Sequence, residues 1–344
     1  MSIELTSTNA SEVAGALLGE RRKAGSPAMG MVLTFVVVTD EGDHYDAFKV
    51  ARAVSREHPA RILGIIRRSG RGKPNLDAEL MIGGSGESVL LRMSGELTRH
   101  AESVVLPLLL PDSPVVVWWP RKAPGDPAAD PLGRLAQRRI TDAAATERGK
   151  TQAILNQARA YSDGNTDLSW TRLTPWRALL AAALDQYPAK VTAGIVEAER
   201  VNPSADLLVA WMADCLHVEV TRVVSKGPGI TSVVMQTGGG PIEISRPDGL
   251  LAEFTIPNAP NRPVALKRRD TAELLAEELR RLDPDDIYAS TVRRMCRLAD
   301  AGAKKATASG IATASRTTST RTPAKKKRAP ATKVPAEKGR KRSR

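Results

Sequence analysis

MGMVLTFVVVTDEGDHYDAFKVARAVSREHPARILGII, residues 29–66, decides the fold class. Its two ends, 29–38 and 60–66, are near-continuous apolar runs without the alternation of a half-exposed strand, so both read as strands buried on two faces. Between them, 43–57 sets Phe48, Ala51 and Val54 on one helical face. The helix stops at His58-Pro59, because the proline ring disfavours helical backbone in the residue before it. Strand, helix and strand in this order make a βαβ crossover, and a sheet of such strands needs helices on both faces. The fold class is α/β.

The same reading extends outward. Residues 10–24 are helix-like, and 76–83 and 88–95 form a hairpin around Gly83-Gly84-Ser85-Gly86. Residues 96–110 read as helix until Pro107, and PVVVWW (114–119) returns to the sheet. These elements define an N-terminal three-layer-like α/β domain over 1–145. A connecting helix covers 147–160. Thr174 then caps a helix with Pro175 at its first position, and Leu179, Leu180 and Leu184 form its buried stripe. Strand 190–198, helix 203–216 and strand 218–224 precede a meander at 230–237, 241–245, 253–257 and 262–268. Asp270 with Glu273 has the spacing of a capping box, and Asp283-Pro284 sets a second helix start. The second domain, 146–302, is therefore a mixed α+β domain.

Charge divides the chain differently. Residues 303–344 carry 14 Lys or Arg against one acid, Glu337, so the whole net charge of +13 sits there and 1–302 is neutral. This segment of Ala, Thr, Ser, Lys, Arg and Pro has too little apolar surface to offset its ordering entropy, and it reads as a disordered basic tail. Lys325, Lys326, Lys327 and Arg328, with Arg340, Lys341 and Arg342, form blocks that attract polyanions, including nucleic acid without sequence preference. No aromatic residue is interleaved with them for base stacking.

The chain has no apolar run of membrane-spanning length and begins without the basic and apolar regions of a signal peptide, so no membrane association and a cytoplasmic location are expected. Cys215 and Cys296 are the only cysteines; they read as thiols in a reducing compartment. Catalytic and cofactor motifs are not legible. Gly70-Arg71-Gly72-Lys73 lacks Walker spacing and is followed by Pro74, and the other glycine runs fall between strands as hairpin tips. Asp163, Asn165 and Asp167 imitate a calcium loop, but Leu168 stands where its glycine should be. The histidines make no helical pair for metal, and neither cysteine has an adjacent base. Asp126 and Asp130 leave open a sugar-phosphate enzyme with a site in the 120–140 loop. The expectation is no catalytic residue, no metal and no cofactor.

Tryptophan stands out instead. Trp118 and Trp119 end one strand and must face opposite sides of it. Trp170 and Trp176 flank Arg172 and Pro175, and Arg177 follows. Trp with Arg is the composition of interface hot spots, so Trp119, Arg138, Arg139, Trp170, Arg172 and Arg177 are the candidate partner-binding residues. A core role for Trp170 and Trp176 is the competing reading.

These stretches carry a resemblance. SREHPARI (55–62), SVVLPLLLPDSPVVVWWP (103–120), DPLGRLAQRRITDA (130–143) and TDLSWTRLTPWR (166–177) resemble the OpcA family, the glucose-6-phosphate dehydrogenase assembly proteins of actinobacteria and cyanobacteria. The resemblance is strongest over 1–180, weakens through 300 and omits the basic tail. It implies a non-enzymatic partner that binds glucose-6-phosphate dehydrogenase, in the oxidative pentose phosphate pathway, and favours its active oligomer or conformation as an allosteric effector. In cyanobacteria the family is linked to thiol control of the dehydrogenase. A nucleic-acid-binding protein acting through its tail is the rival from another class.

Overall fold

The computed structural model describes residues 2–24, 30–83 and 86–317. The chain divides into a unit at 1–299 and a second at 300–344. The first unit contains two sheets.

The first sheet grows around the crossover read from 29–66. Strand β1 is Ser2–Leu5 and helix α1 is Ala10–Ala24. Strand β2 (Leu33–Thr39) pairs in parallel with β3 (Ala60–Arg67), with α2 (His44–Val54) between them. Helix α2 buries Ala47, Phe48, Ala51 and Val54. A Cβ at Gly64 of β3 would lie 1.8 Å from a Phe48 ring carbon, so glycine lets the ring rest on the strand. Strands β4 (Asn75–Gly83) and β5 (Gly86–Ser94) form the expected antiparallel hairpin; its tip, Gly84 and Ser85, lies outside the described residues. The return to the sheet passes through a 3-10 turn, α3 (Ala101–Val105) and a second 3-10 turn at Pro107, and enters β6 (Val115–Trp119).

The sheet does not stop near residue 145. Strand β7 (Arg138–Thr141), α4 (Lys150–Arg159) and β8 (Asn165–Asp167) add two more parallel strands. The order is β1-β4-β5-β3-β2-β6-β7-β8. Its parallel block, numbered by its own sequence, runs 3-2-1-4-5-6, the doubly wound order of dinucleotide-binding sheets. Trp118 and Trp119 face opposite layers, as alternation requires. Trp119 packs with Val13 and Leu17 of α1, and Trp118 packs with the α2 layer and stacks on Phe35 at 6.1 Å.

Short α5 (Leu168–Thr171) and α6 (Thr174–Gln186) lead to β9 (Val191–Ala198), α7 (Pro203–Cys215) and β10 (Val220–Val224). Strands β11 (Ile230–Thr237), β12 (Ile242–Ser245), β13 (Leu251–Thr255) and β14 (Arg262–Ala265) form the meander. The second sheet has the order β10-β9-β11-β12-β13-β14, with only the β9–β10 pair parallel. Its core unites Val196, Val233 and Ile244 with Trp176 and Leu180 of α6 and Leu208 of α7. Leu179 and Leu184 are half-buried against that core, so the expected stripe on α6 centres on Leu180.

Three local expectations need correction. Thr174 is the first residue of α6 and does not cap it; its hydroxyl donates instead to Glu277 Oε1 at 2.6 Å. Helix α8 (Thr271–Arg280) has the Asp270–Glu273 capping box, but it does not pack on the second sheet: Leu274, Leu275 and Leu279 lie with Phe35, Ile62 and Trp118 of the first. The last helix, α9 (Asp286–Thr317), is capped by Asp285, whose Oδ1 accepts from the Tyr288 N–H at 2.9 Å, and not by Asp283. Helix α9 runs on to Thr317, into the start of the segment read as tail. A helix already begun at Asp286 has no nucleation cost left, and the alanines of 303–317 favour its continuation against Gly310 and the interspersed serines and threonines.

The packing of α8 makes a testable statement. A fragment ending at residue 167 keeps α2 on the Phe35–Ile62 face but uncovers the part that Leu274, Leu275 and Leu279 close, and should bind a hydrophobic dye and self-associate, whereas the chain ending at 299 should do neither. Dye fluorescence and size-exclusion chromatography decide it; a monomeric, dye-silent 1–167 fragment would overturn the shared layer.

Candidate functional site

In a doubly wound sheet, ligands bind outside the carboxyl ends of the strands where the order reverses, here between β2 and β6. A cavity of about 180 Å³ lies there, lined by Thr39, Asp40, Asp43, Arg67, Trp119 and Lys122 among others. The turn entering α2 reads Thr39-Asp40-Glu41-Gly42-Asp43. A pyrophosphate needs glycines and free N–H groups at that helix start, and three carboxylates repel it. These acids are also matched locally. Asp40 pairs with Lys122, Asp43 with Arg121 at 3.4 Å, and Glu41 with Arg68 at 2.8 Å and Arg92 at 3.1 Å. Hydrogen bonding from Arg68, helped by Arg92, holds the Glu41 carboxyl below its usual range. The residues present do not fit a dinucleotide.

The 120–140 loop has its acids similarly committed. Asp126 accepts from the N–H groups of Ala128 and Ala129 at 3.0 and 3.1 Å. Asp130 accepts from Leu132 at 3.0 Å and pairs with Arg67 at 3.3 Å. Asn165 and Asp167 are spoken for as well, since Asn165 accepts from Arg139 Nε at 2.5 Å and Asp167 from Thr141 and Ala143 at 2.6 and 2.9 Å.

Four of the six candidate partner-binding residues are buried, and Arg172 and Arg177 are half-buried. Trp119 and Trp170 are each 1% exposed, Arg138 is 4% and Arg139 is 9%. Trp119 fills the layer beneath α1. Arg139 braces two loops, donating to the carbonyl oxygens of Ala136 at 2.7 Å and of Asp163. It has no carboxylate partner among the described residues, and burial lowers its pKa. Arg172 is half-buried and holds Asp142 through two parallel bonds of 2.8 Å. Trp176 is a core residue of the second sheet.

The structure does bring three of the six together. Arg138 Nη2 donates to Glu278 Oε2 at 2.6 Å, and Thr171 donates to the other Glu278 oxygen at 2.6 Å. Arg138 Nη1 reaches the Asp283 carbonyl at 3.0 Å. Trp170 Nε1 donates to Asp285 Oδ2 at 2.8 Å, and the Arg177 guanidinium lies 3.6 Å from the centroid of the Trp170 ring. Burial lowers the Arg177 pKa. These groups floor a groove of about 430 Å³ whose rim is Arg281, Asp283 and Ile287. The Arg281 and Asp283 side chains are 80% and 78% exposed, and Ile287 is 49% exposed. Sequence reading missed these rim residues because the α8–α9 link carries no aromatic residue; the exposed Ile287 just inside a helix start was the available signal.

Cys215 is exposed at the end of α7 and Cys296 is half-buried. The tail residues Lys325, Lys326, Lys327, Arg328, Arg340, Lys341 and Arg342 lie outside the described residues. Among the described residues no helix is long and apolar enough to cross a membrane, and no three potential metal ligands are grouped.

Fold and site together define a two-sheet α/β protein on a dinucleotide-type frame, with acids at the phosphate turn and an internal polar joint where hot-spot residues were expected. Two family models match it, both describing a glucose-6-phosphate dehydrogenase subunit: its N-terminal domain matches over 51–159 and its C-terminal domain over 163–292. The chain belongs to the OpcA family of glucose-6-phosphate dehydrogenase assembly proteins. Among solved structures it is similar to a dehydrogenase (MviM) from Clostridium difficile at 5% identity, covering 79% of this chain and 99% of that one with a TM-score of 0.41. It is also similar to an oxidoreductase from Sinorhizobium meliloti at 11% identity, covering 78% and 89% with a TM-score of 0.40. Likenesses of that strength support no statement about activity. No curated protein matches the chain.

The buried joint predicts a stability effect. Glu278→Ala leaves the Arg138 charge buried and unpaired and should destabilise the chain by about 3–5 kcal/mol. Urea unfolding of the variant checks this; a change below about 1 kcal/mol would show that water relieves Arg138.

Proposed function

We propose that this chain is a non-catalytic partner of glucose-6-phosphate dehydrogenase that favours the dehydrogenase's active oligomer or conformation. The observation that carries the proposal is the match to both halves of a family described by its association with that dehydrogenase, over 51–159 and 163–292. The three acids at the phosphate turn and the committed carboxylates of the 120–140 loop support a binding role over a catalytic one.

A protein without a catalytic step acts only by binding one state of its partner better than another. A tenfold shift in that equilibrium takes about 1.4 kcal/mol of differential affinity, within reach of one or two well-seated side chains. The buried tryptophans cannot supply it directly. The groove rim can, because Ile287 is exposed beside the joint and Arg281 has only an exposed pair with Asp283 to lose on docking.

Purified dehydrogenase, with and without this chain, should show a new complex by mass measurement together with higher activity. Ile287→Asp and Arg281→Glu should weaken the effect at least tenfold while leaving the unfolding midpoint near that of the wild type. A chain ending at Gly302 should keep the effect and lose most affinity for DNA. No complex and no activity change at any concentration would sink the proposal, and wild-type behaviour of both rim variants would move the contact elsewhere.

A further inference from the structure

A second cavity, of about 310 Å³, opens where the start of α7 meets β11, β12 and the segment after β14. Its lining is one-sided in charge: Arg172, Arg246, Lys267, Arg268 and Arg269 contribute, and no Asp or Glu does. Three of these cations are matched within the fold, Arg172 by Asp142, Lys267 by Glu273 and Arg269 by Glu277. Arg246 and Arg268 have no carboxylate within ion-pair distance among the described residues.

Arg246 is the unusual one. It is 5% exposed, yet its guanidinium meets only neutral acceptors, the carbonyl oxygens of Leu266 at 2.7 Å and Ile230 at 3.0 Å. Its Nε is buried without a hydrogen-bond partner. The charge stacks over the Trp176 ring at 4.8 Å, which orients it without neutralising it. Asp248, the acid whose field reaches it, directs its Oδ1 to the N–H groups of Leu250 and Leu251 at 2.8 and 3.1 Å. Burial, reinforced by Arg268, lowers the Arg246 pKa to about 10.

Arg268 aggravates the imbalance. A Cβ on Gly229 would lie 3.7 Å from Arg246 Nη2 and 3.8 Å from Arg268 Cζ, so the two like charges face each other across one glycine. Gly229 itself has φ +68°, a conformation suited to glycine that holds its backbone close to both groups. The cavity wall also includes Ser204 in the first turn of the thirteen-residue helix α7, at its positive dipole end. A buried cation without a counter-charge is costly, and two converging guanidiniums more so.

We propose that this cavity binds a small phosphorylated molecule, with its phosphoryl group between Arg246 and Arg268 at the start of α7. A planar guanidinium presents paired N–H donors that match phosphate oxygens, and an ammonium at Lys267 adds charge at the mouth. The volume stands at the lower end of ligand sites, enough for a phosphoryl group on one small ring, for which Trp176 forms an apolar wall. Such a ligand would supply the counter-charge that the fold leaves out. No residue lines both this cavity and the α8–α9 groove, although Arg269 of the one pairs with Glu277 of the other, and phosphate occupancy can be measured without any partner protein.

The test uses the full chain and calorimetry with inorganic phosphate, a hexose monophosphate and the free hexose, each against sodium chloride of equal ionic strength. Saturable binding of the two phosphates and none of the hexose is expected. Arg268→Glu, at an exposed position with no ion pair to lose, should weaken phosphate binding at least tenfold with an unchanged unfolding midpoint. Arg246→Lys keeps the charge but loses the fork and should weaken it as well. No saturable phosphate binding by the wild-type chain overturns the proposal. So does Arg268→Glu binding as the wild type does, which would assign the binding to the basic tail.

Discussion

Glu278 is a carboxylate with 7% exposure, and the arrangement of the first unit turns on it. One oxygen takes Arg138 from β7 of the first sheet; the other takes Thr171 from the end of α5, which leads toward the second. Neighbouring Glu277 binds Thr174 and Arg269 on the same side. A charge buried this deeply is tolerated only when both oxygens are satisfied with good geometry. Helix α8 can lie on the first sheet, away from its neighbours in sequence, because its polar side closes this joint while Leu274, Leu275 and Leu279 close a core.

The joint explains what the family-bearing stretches have in common. In SREHPARI, Arg61 is buried against Glu87 at 3.0 Å, and His58 Nε2 lies 2.9 Å from the Ala276 carbonyl oxygen of α8. In DPLGRLAQRRITDA, Asp130, Arg138, Arg139 and Asp142 all make intramolecular contacts. In TDLSWTRLTPWR, Asp167 caps α5 and Trp170 reaches Asp285. Long irregular strings of Arg, Trp and Asp resemble an interface because an interface and an internal joint solve the same problem, burying charge with its partner beside an aromatic surface.

The parallel block reproduces the strand order of dinucleotide-binding sheets, yet the reversal point carries ion pairs where phosphate donors would stand. Excess positive charge instead gathers at α7, on the other sheet. Strand order is set by how apolar strands and helices pack, whereas a ligand site is set by a few side chains at loop ends, so one changes without the other.

Much of the element order was determined by local sequence alone. Continuous apolar runs gave buried strands at β2, β3 and β6, and the Asp270–Glu273 spacing capped α8 as expected, whereas α2 ends at Val54, five residues short of the proline read as its stop. Alternation placed Trp118 and Trp119 on opposite faces without any structure. Only the tertiary structure decided which helices cover each tryptophan, that Arg138 and Trp170 point into a joint, and that β8 joins the first sheet and α8 packs on it. It also decided which arginines found carboxylates and which, at Arg246 and Arg268, did not. Backbone preference acts over a few residues and is written in them, but burial and charge pairing depend on segments more than a hundred positions apart, as Arg138 and Glu278 are.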